Sequence, residues 1–431
     1  MKKRSLFALA LAASLGAAGC GPAAEPDPNH NINDDATDQF GDEDRDIELT
    51  FSYTGMDYVP LVEEYVEKNP NITVTIQRLE SEDHHRNLFT ALSAGAGAPD
   101  LVLIDYTEIE TYKNAENHFM NLYDLGAEDV ESRYLDWVWN IGTNVSGDFS
   151  LGIPAAIDPT VLYYRKDVFE EAGLPSEPAD VDEHLASWDD YADAAETILA
   201  ETGKPMAPNP EMIYHAKRDQ APEYYFNEAD ELIIENDSYA KDAYFNTIDW
   251  MEAGYIDQLL IGSSKWWGSM KEGSYATLPA PASMRNEIQT NAPDESNWRI
   301  AHIPEGAGNQ GGAWLTIPGQ TDHPEETYAF LEWLTEPEQQ LRLFKEQGVF
   351  PPNLALYEQE ELNDMAGYFG DQSPGQRFAE AATTIESVHR GPRFYAVNEE
   401  ITIGLENVSR GEDSDEEWDE ILDRINRRID R

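Results

Sequence analysis

Residues 151–175, LGIPAAIDPTVLYYRKDVFEEAGLP, change character in the middle. Up to Tyr164 the run is apolar and β-rich, and it closes on two adjacent tyrosines, Tyr163 and Tyr164. From Arg165 the segment RKDVFEEAG reads as a short charged helix that stops at a glycine. A buried strand feeding directly into a helix is one step of an α/β chain.

The same alternation fills the preceding part of the sequence. IELTFSYTG (47–55) alternates as a strand and ends in a glycine turn. DYVPLVEEYVEKNP (57–70) has helical spacing and stops before Pro70; within it Asp57 is as much a helix cap as a ligand candidate. ITVTIQRL (72–79) is a second strand and EDHHRNLFTALSAG (82–95) a second helix. PDLVLID (99–105) is a nearly continuous apolar run, as expected of a strand covered on both faces. Three strands separated by two helices predict a parallel sheet with right-handed crossovers. Downstream, helices are predicted over 187–203, 237–254 and 264–273, and strands at YATLPA (275–280) and GGAWLTIP (311–318). Residues 324–348 read as two helices broken at Pro337, and the chain after Ser373 as mostly helical.

Net charge is −55, from 84 acidic against 29 basic residues. Such a chain excludes nucleic acid and anionic lipid surfaces as partners. Its self-repulsion is severe in dilute buffer and weak where salt shrinks the Debye length, and Arg (18) outnumbers Lys (11); we expect a salt-loving or salt-tolerant source. The N-terminus, MKKRSLFALALAASLGAAGC, has a basic start, an apolar stretch too short to span a bilayer, and Cys20. It resembles a signal peptide with a bacterial lipobox, although Ala17 stands where leucine is usual, and Cys20 is then a lipid attachment point. Cys20 is the only cysteine, so no internal disulfide forms and stability rests on a packed core. Residues 21–46 are acidic and poor in apolar side chains, and read as a disordered tether.

The ordered set PDLVLID, LGIPAAIDPTVLYYRKDVFEEAGLP, SWDDYADAAETILAETGKP, GGAWLTIP and PEETYAFLEWLTEPEQQ resembles the extracellular solute-binding proteins of ABC importers, the sugar-binding group that includes maltose-binding protein. The resemblance runs over essentially all of the chain after residue 46. It implies an α/β fold of two hinged lobes around a central ligand cleft. Lobe 1 would be 47–154 plus 315–368, and lobe 2 would be 155–314 plus 369–431. Crossovers would lie near Pro154–Ala156, near Gly311–Trp314 and within 365–375. The implied protein is exported, lipid-anchored outside the membrane and monomeric. It would capture a sugar or oligosaccharide and deliver it to ABC permease subunits, without cofactor or metal.

Sugar hydroxyls need paired donors and acceptors, and the apolar C–H faces of sugars stack on aromatic rings. Ligands of open α/β sheets bind outside the carboxyl ends of the strands. Tyr53 follows the first strand. Asp105, Tyr106 and Glu108 follow the third, where the family has a ligand-binding turn. Asp158 falls where the family places an acidic sugar ligand. Tyr214 falls in what the resemblance implies is a loop carrying aromatic contacts, Arg285 follows the strand-turn YATLPAPASM, Trp314 lies beside Gly311 and Gly312, and Phe394 and Tyr395 fall near a family stacking position. One of Tyr163 and Tyr164 is expected under the following helix and the other toward the cleft. Trp266 and Trp267 are read as packing. Arg390 and Arg393 either bind an anionic sugar such as a uronate or neutralise neighbouring carboxylates, and the reading favours neutralisation. His84 and His85 are read as surface residues.

Two other classes stay open. The chain could bind another solute, a peptide or a compatible solute such as betaine, which needs an aromatic cage. An enzyme is the weaker alternative. GxSxG, HExxH and CxxC motifs do not occur, and the GxGxxG match at 306–311 precedes a strand rather than joining strand to helix.

Overall fold

The computed structural model describes residues 36–41, 46–235, 238–363, 367–391 and 393–429. The signal segment and Cys20 lie outside the described residues, as does most of the expected tether. Eight strands follow in chain order: β1 (Ala36–Phe40), β2 (Ile47–Tyr53), β3 (Ile72–Arg78), β4 (Leu101–Asp105), β5 (Gly152–Arg165), β6 (Thr277–Pro281), β7 (Trp298–Ala301) and β8 (Asn309–Thr316).

The stretch at 151–175 turns out to belong to two sheets. The first half of β5, Gly152 to Pro159, pairs antiparallel with β8; the second half, from Thr160, pairs antiparallel with β6 and β7. Register shifts fall between Pro154 and Ala156 and between Ile157 and Pro159, so the strand bends at Asp158 as it passes from one sheet to the other. β2 lies between β3 and β4 and is parallel to both, as the alternation predicts. β8 then joins antiparallel between β4 and β5, giving the order β1-β3-β2-β4-β8-β5-β6. The sheet is therefore mixed.

β1 corrects the tether at its end. Residues 36–40 pair antiparallel with the outer edge of β3, Ala36 opposite Arg78 and Phe40 opposite Val74. ATDQF has little apolar pattern of its own; the open edge of β3 supplies the hydrogen-bonding partner.

Each sheet has a core of its own on one side, and a further core runs across both, joining Val102 and Ile104 with Tyr163, Leu278 and Trp298. On the β2–β4 side, helix Val59–Lys68 buries Leu61, Val62 and Tyr65 beside Phe330 and Leu331 of helix Pro324–Leu334, with Tyr65 and Phe330 rings 4.5 Å apart. Each such side chain stabilises by roughly 1.5–3 kcal/mol. Pro337 begins the next helix, Pro337–Gln347, where its missing N–H costs nothing, which is why the helical run breaks there. On the β6–β7 side, helix Trp188–Thr202 opens with a reciprocal Ser187–Asp190 capping box and packs Tyr191, Ala195 and Ile198 beside Leu162 and Tyr164.

Both tyrosines of the opening stretch are buried. Tyr164 lies under the helix Lys166–Glu171, edge-on to Phe169, and donates to the Ser176 carbonyl at 2.8 Å. Tyr163 donates to the Ala282 carbonyl at 3.0 Å and packs against Phe369, so it is core rather than cleft.

His84 and His85 are also buried, contrary to the surface reading. His84 Nε2 lies 2.7 Å from the Leu103 carbonyl and Nδ1 3.0 Å from Ser52 Oγ, which fits a neutral ring donating through Nε2. Burial, and next the charge of His85, lower its pKa to about 4 from 6.5. The unfolded chain takes a proton on this ring below pH 6.5, and the folded one only near 4. The residue's stabilisation is therefore complete above pH 6.5 and lost as pH falls through that window. Roughly 3 kcal/mol is expected to go. Chemical unfolding followed from neutral pH to about pH 4 checks this: His84→Gln should flatten the acid limb, and an unchanged limb contradicts it.

Candidate ligand-binding site

The carboxyl end of β4 borders two cavities, of about 350 Å³ and 310 Å³, and the bend of β5 lines the first of them. Consecutive residues divide between them, Asp105 lining the larger and Tyr106 the smaller.

The larger cavity places Asp105 and Asp158 on one wall set, with Ser81, Ser283 and Gly312. Asp105 is fully engaged. Oδ2 accepts from His85 Nε2 at 2.8 Å and Ser81 Oγ at 3.0 Å; Oδ1 accepts from the Thr107 backbone N–H at 3.1 Å and from Thr107 Oγ1 at 2.5 Å. Burial alone would raise its pKa, but the His85 contact, then Thr107 and Ser81, hold the carboxyl well below the usual range. Asp105 thus fixes the shape of the turn that carries Tyr106 and Glu108. Glu108 is half-buried on this turn, and burial raises its pKa.

Asp158 sits at the bend of β5. Its backbone N–H donates to Asn309 Oδ1 at 2.8 Å; its carboxylate accepts from the Ser283 backbone N–H at 2.8 Å and Ser283 Oγ at 2.6 Å. Burial pushes its pKa up to about 6, against the pull of the Ser283 bonds. Gly311 and Gly312 let β8 approach this bend; a Cβ on Gly312 would lie 2.4 Å from the Ala156 carbonyl oxygen. The Gly312 carbonyl accepts from the Tyr106 N–H at 2.9 Å, tying the β4 turn to the same point.

The smaller cavity is walled by Tyr106, Trp137, Asn140, Asn309, Tyr224 and Arg390. The Arg390 guanidinium carbon lies 3.8 Å from the Tyr106 ring centre and 4.2 Å from that of Phe394, so the cation is held between two aromatic faces. Tyr395, 49% exposed, is the most accessible ring of the expected set; burial, then the charge of Asp105, raise its pKa.

The remaining expected residues lie elsewhere. Trp314 is fully buried, its Nε1 3.4 Å from the Val138 carbonyl and its ring stacked behind Tyr106 at 6.2 Å; it lines neither cavity. Tyr53 packs in the β2 core against Phe51 and Tyr58, and its neighbour Thr54 reaches the larger cavity instead. Tyr214 lies in the helix Pro210–Arg218 rather than a loop and is core, its hydroxyl 3.0 Å from that of Tyr225. Phe394 is buried and serves the sandwich on Arg390. Arg285 is buried over the Phe344 ring. Trp266 is core, as read. Asp57 lies one residue before the N-cap Tyr58 and accepts from the Val59 N–H at 3.0 Å, so it braces the helix start.

Sequence reading missed Ser81, Ser283 and Asn309, whose residue types carry no signal apart from place. It named Arg390 but favoured neutralisation; among the described residues no carboxylate pairs with it. Arg393 faces away and donates to the Arg428 carbonyl. Among the described residues there is no cluster of metal-ligating side chains, and no helix long and apolar enough to cross a membrane.

Comparison with known proteins agrees with this architecture. The arabinooligosaccharide-binding protein of Halalkalibacterium halodurans is 26% identical over 362 residues, covering 78% of this chain and 79% of that one. A crystal structure described as an extracellular solute-binding protein family 1 superposes with a TM-score of 0.85 at 29% identity, over 88% of this chain and 99% of that one. The sugar-binding protein MalE of Xanthomonas citri shares the fold at a TM-score of 0.75 and 20% identity, over 88% and 96% of the two chains. The sequence pattern of the bacterial extracellular solute-binding proteins matches residues 60–369. With a β5 that bends between two sheets, carboxylates gathered at the bend and a family-wide match over most of its length, the chain belongs to the bacterial extracellular solute-binding proteins.

Proposed function

We propose that the protein captures an oligosaccharide between two hinged lobes and presents it to an ABC permease, without chemistry on the sugar. The observation that carries this is the meeting of Asp105 and Asp158 in one cavity at the bend of β5; Tyr395, the exposed ring of the set and near enough to feel the Asp105 charge, is the ring for a sugar face. The lobes are 47–154 plus 315–368 and 155–314 plus 369–431, and ligand that touches both shifts the population toward the closed form. Export, anchoring through Cys20, a monomeric state and a saline habitat complete the proposal. The arabinooligosaccharide-binding relative makes pentose oligomers the first ligands to try.

A thermal-shift screen of arabino-, malto- and galacto-oligosaccharides, betaine and short peptides tests it, run at about 0.1 M and about 3 M NaCl. One oligosaccharide should raise the melting temperature by several degrees, since saturation at 100-fold above Kd stabilises by about 2.7 kcal/mol. The ligand-free protein should melt at least ~10 °C higher in the concentrated salt, where the repulsion of a net charge of −55 is screened. A shift with betaine or peptide alone overturns the sugar reading, and equal melting in both salts overturns the saline one.

A further inference from the structure

We propose that the cavity beside Arg390 takes the carboxylate of an acidic sugar, so that the captured oligosaccharide contains a uronate unit; this rests on the oligosaccharide reading above. Arg390 is 2% exposed. Its Nη1 donates to the Tyr106 carbonyl at 2.8 Å, while Nε and Nη2 are buried without a partner. Tyr106 and Phe394 cover the two faces of the guanidinium, which leaves only its edge for hydrogen bonding. Nε–H and one Nη2–H point the same way along that edge, spaced to meet both oxygens of a carboxylate.

The surrounding charges make the unpaired fork informative. With 84 acidic residues against 29 basic ones, carboxylates are available everywhere. Two other buried arginines use them: Arg165 pairs with Asp167 and Glu295, and Arg218 with Asp219. A buried cation without a hydrogen-bonded anion is costly, and here the buried carboxylate that feels its charge, Asp219, is already bound to Arg218. Across the same cavity Lys113 is already paired with Glu110 at 3.3 Å, so the donors left unpaired are those of Arg390. Glu228 and Glu386 stand exposed at the rim, and His389 is held by Asp230 at 2.7 Å. These rim carboxylates and the net charge repel an anion at long range, so any preference for one comes from the fork at contact. The exposed amide of Asn140 on the same wall offers a partner for a hydroxyl of the same sugar, while that of Asn309 is taken by the Asp158 N–H and the Gly311 carbonyl.

Nε and Nη2 are shielded from solvent in the ligand-free arrangement. Tyr106 follows β4 and Phe394 begins the helix Phe394–Ser409, so parting these two elements uncovers the fork and closing them again seals the carboxylate in.

Isothermal titration calorimetry of the full chain with trigalacturonate, its methyl ester and neutral arabinotriose tests this. The ester keeps the skeleton and removes the charge. The acid should bind roughly 30-fold or more tightly than the ester. The ratio should fall to about one in Arg390→Met and lie between in Arg390→Lys, which keeps the charge without the fork. It should persist or grow between about 0.5 M and about 2 M NaCl, because salt screens the distant repulsion more than the buried contact. Equal binding of acid and ester to the wild type overturns the proposal, as does a ratio that Arg390→Met leaves unchanged. Binding of arabinotriose with neither galacturonide overturns it while the oligosaccharide reading stands; no binding of any sugar sinks both. Should Arg390→Met fail to fold in a thermal melt, the acid-to-ester ratio of the wild type and of Arg390→Lys decides.

Discussion

Gly312→Ala is expected to lower the unfolding free energy by about 4 kcal/mol and to remove ligand binding with it. Two independent costs fall on the same atom. Gly312 has φ +128°, a backbone region that L side chains rarely adopt, and its added Cβ would lie 2.4 Å from the Ala156 carbonyl oxygen and 3.1 Å from Ile157 Cα. Both obstacles are backbone of β5 next to its register shift, so no side-chain rotation relieves them. The strand pair has to move, and with it the Gly312 carbonyl that receives the Tyr106 N–H. Gly311→Ala is the matched control. Its Cβ meets the Asp158 side chain at 2.9 Å and its φ is unstrained, so a loss of only about 1 kcal/mol is expected. Denaturant unfolding of both variants checks the pair; equal stability would mean that the close approach of β8 to β5 is not what holds the bend.

The elements were legible in the sequence where apolar period and punctuation agree. The break at Pro337, the Ser187 cap and the strand–helix switch at Arg165 each have a local chemical cause, and each stands where the residues put it. β1 was not legible, because five mostly polar residues become a strand only through the open edge of β3. The site was legible in part, for a related reason. Asp105 follows from the rule that ligands gather at the carboxyl ends of strands, whereas Asp158, in the middle of β5, came from the family resemblance alone. Which ring faces the cleft does not follow, because side-chain direction along a strand depends on an unbroken period of two. The register shifts around Asp158 reset that period, and Trp314, across from Pro154, ends up behind Tyr106 rather than in the opening. Tyr53 and Tyr214 were misplaced because an aromatic residue near a strand end fills a core as readily as it stacks on a sugar. Arg390 was visible as an odd cation in an acidic chain, but its missing partner could be seen only in three dimensions.

Asp158→Ala separates binding from folding. The carboxyl is kept at a cost, since burial raises its pKa to about 6 against the pull of Ser283, the Arg285 charge and the Ala282 backbone. Removing it should leave the melting temperature within a few degrees of the wild type. The same change removes a charged acceptor from the wall of the larger cavity, where a sugar hydroxyl bonded to it would lose a charge-assisted hydrogen bond and leave its own group unpaired. Affinity should therefore fall by roughly 100-fold. The most direct measurement is a calorimetric titration of wild type and Asp158→Ala with the oligosaccharide that gives the largest thermal shift. Near-wild-type folding with binding weakened by two orders of magnitude is the predicted result, and an unchanged affinity in the variant would contradict the placing of the sugar at the bend of β5.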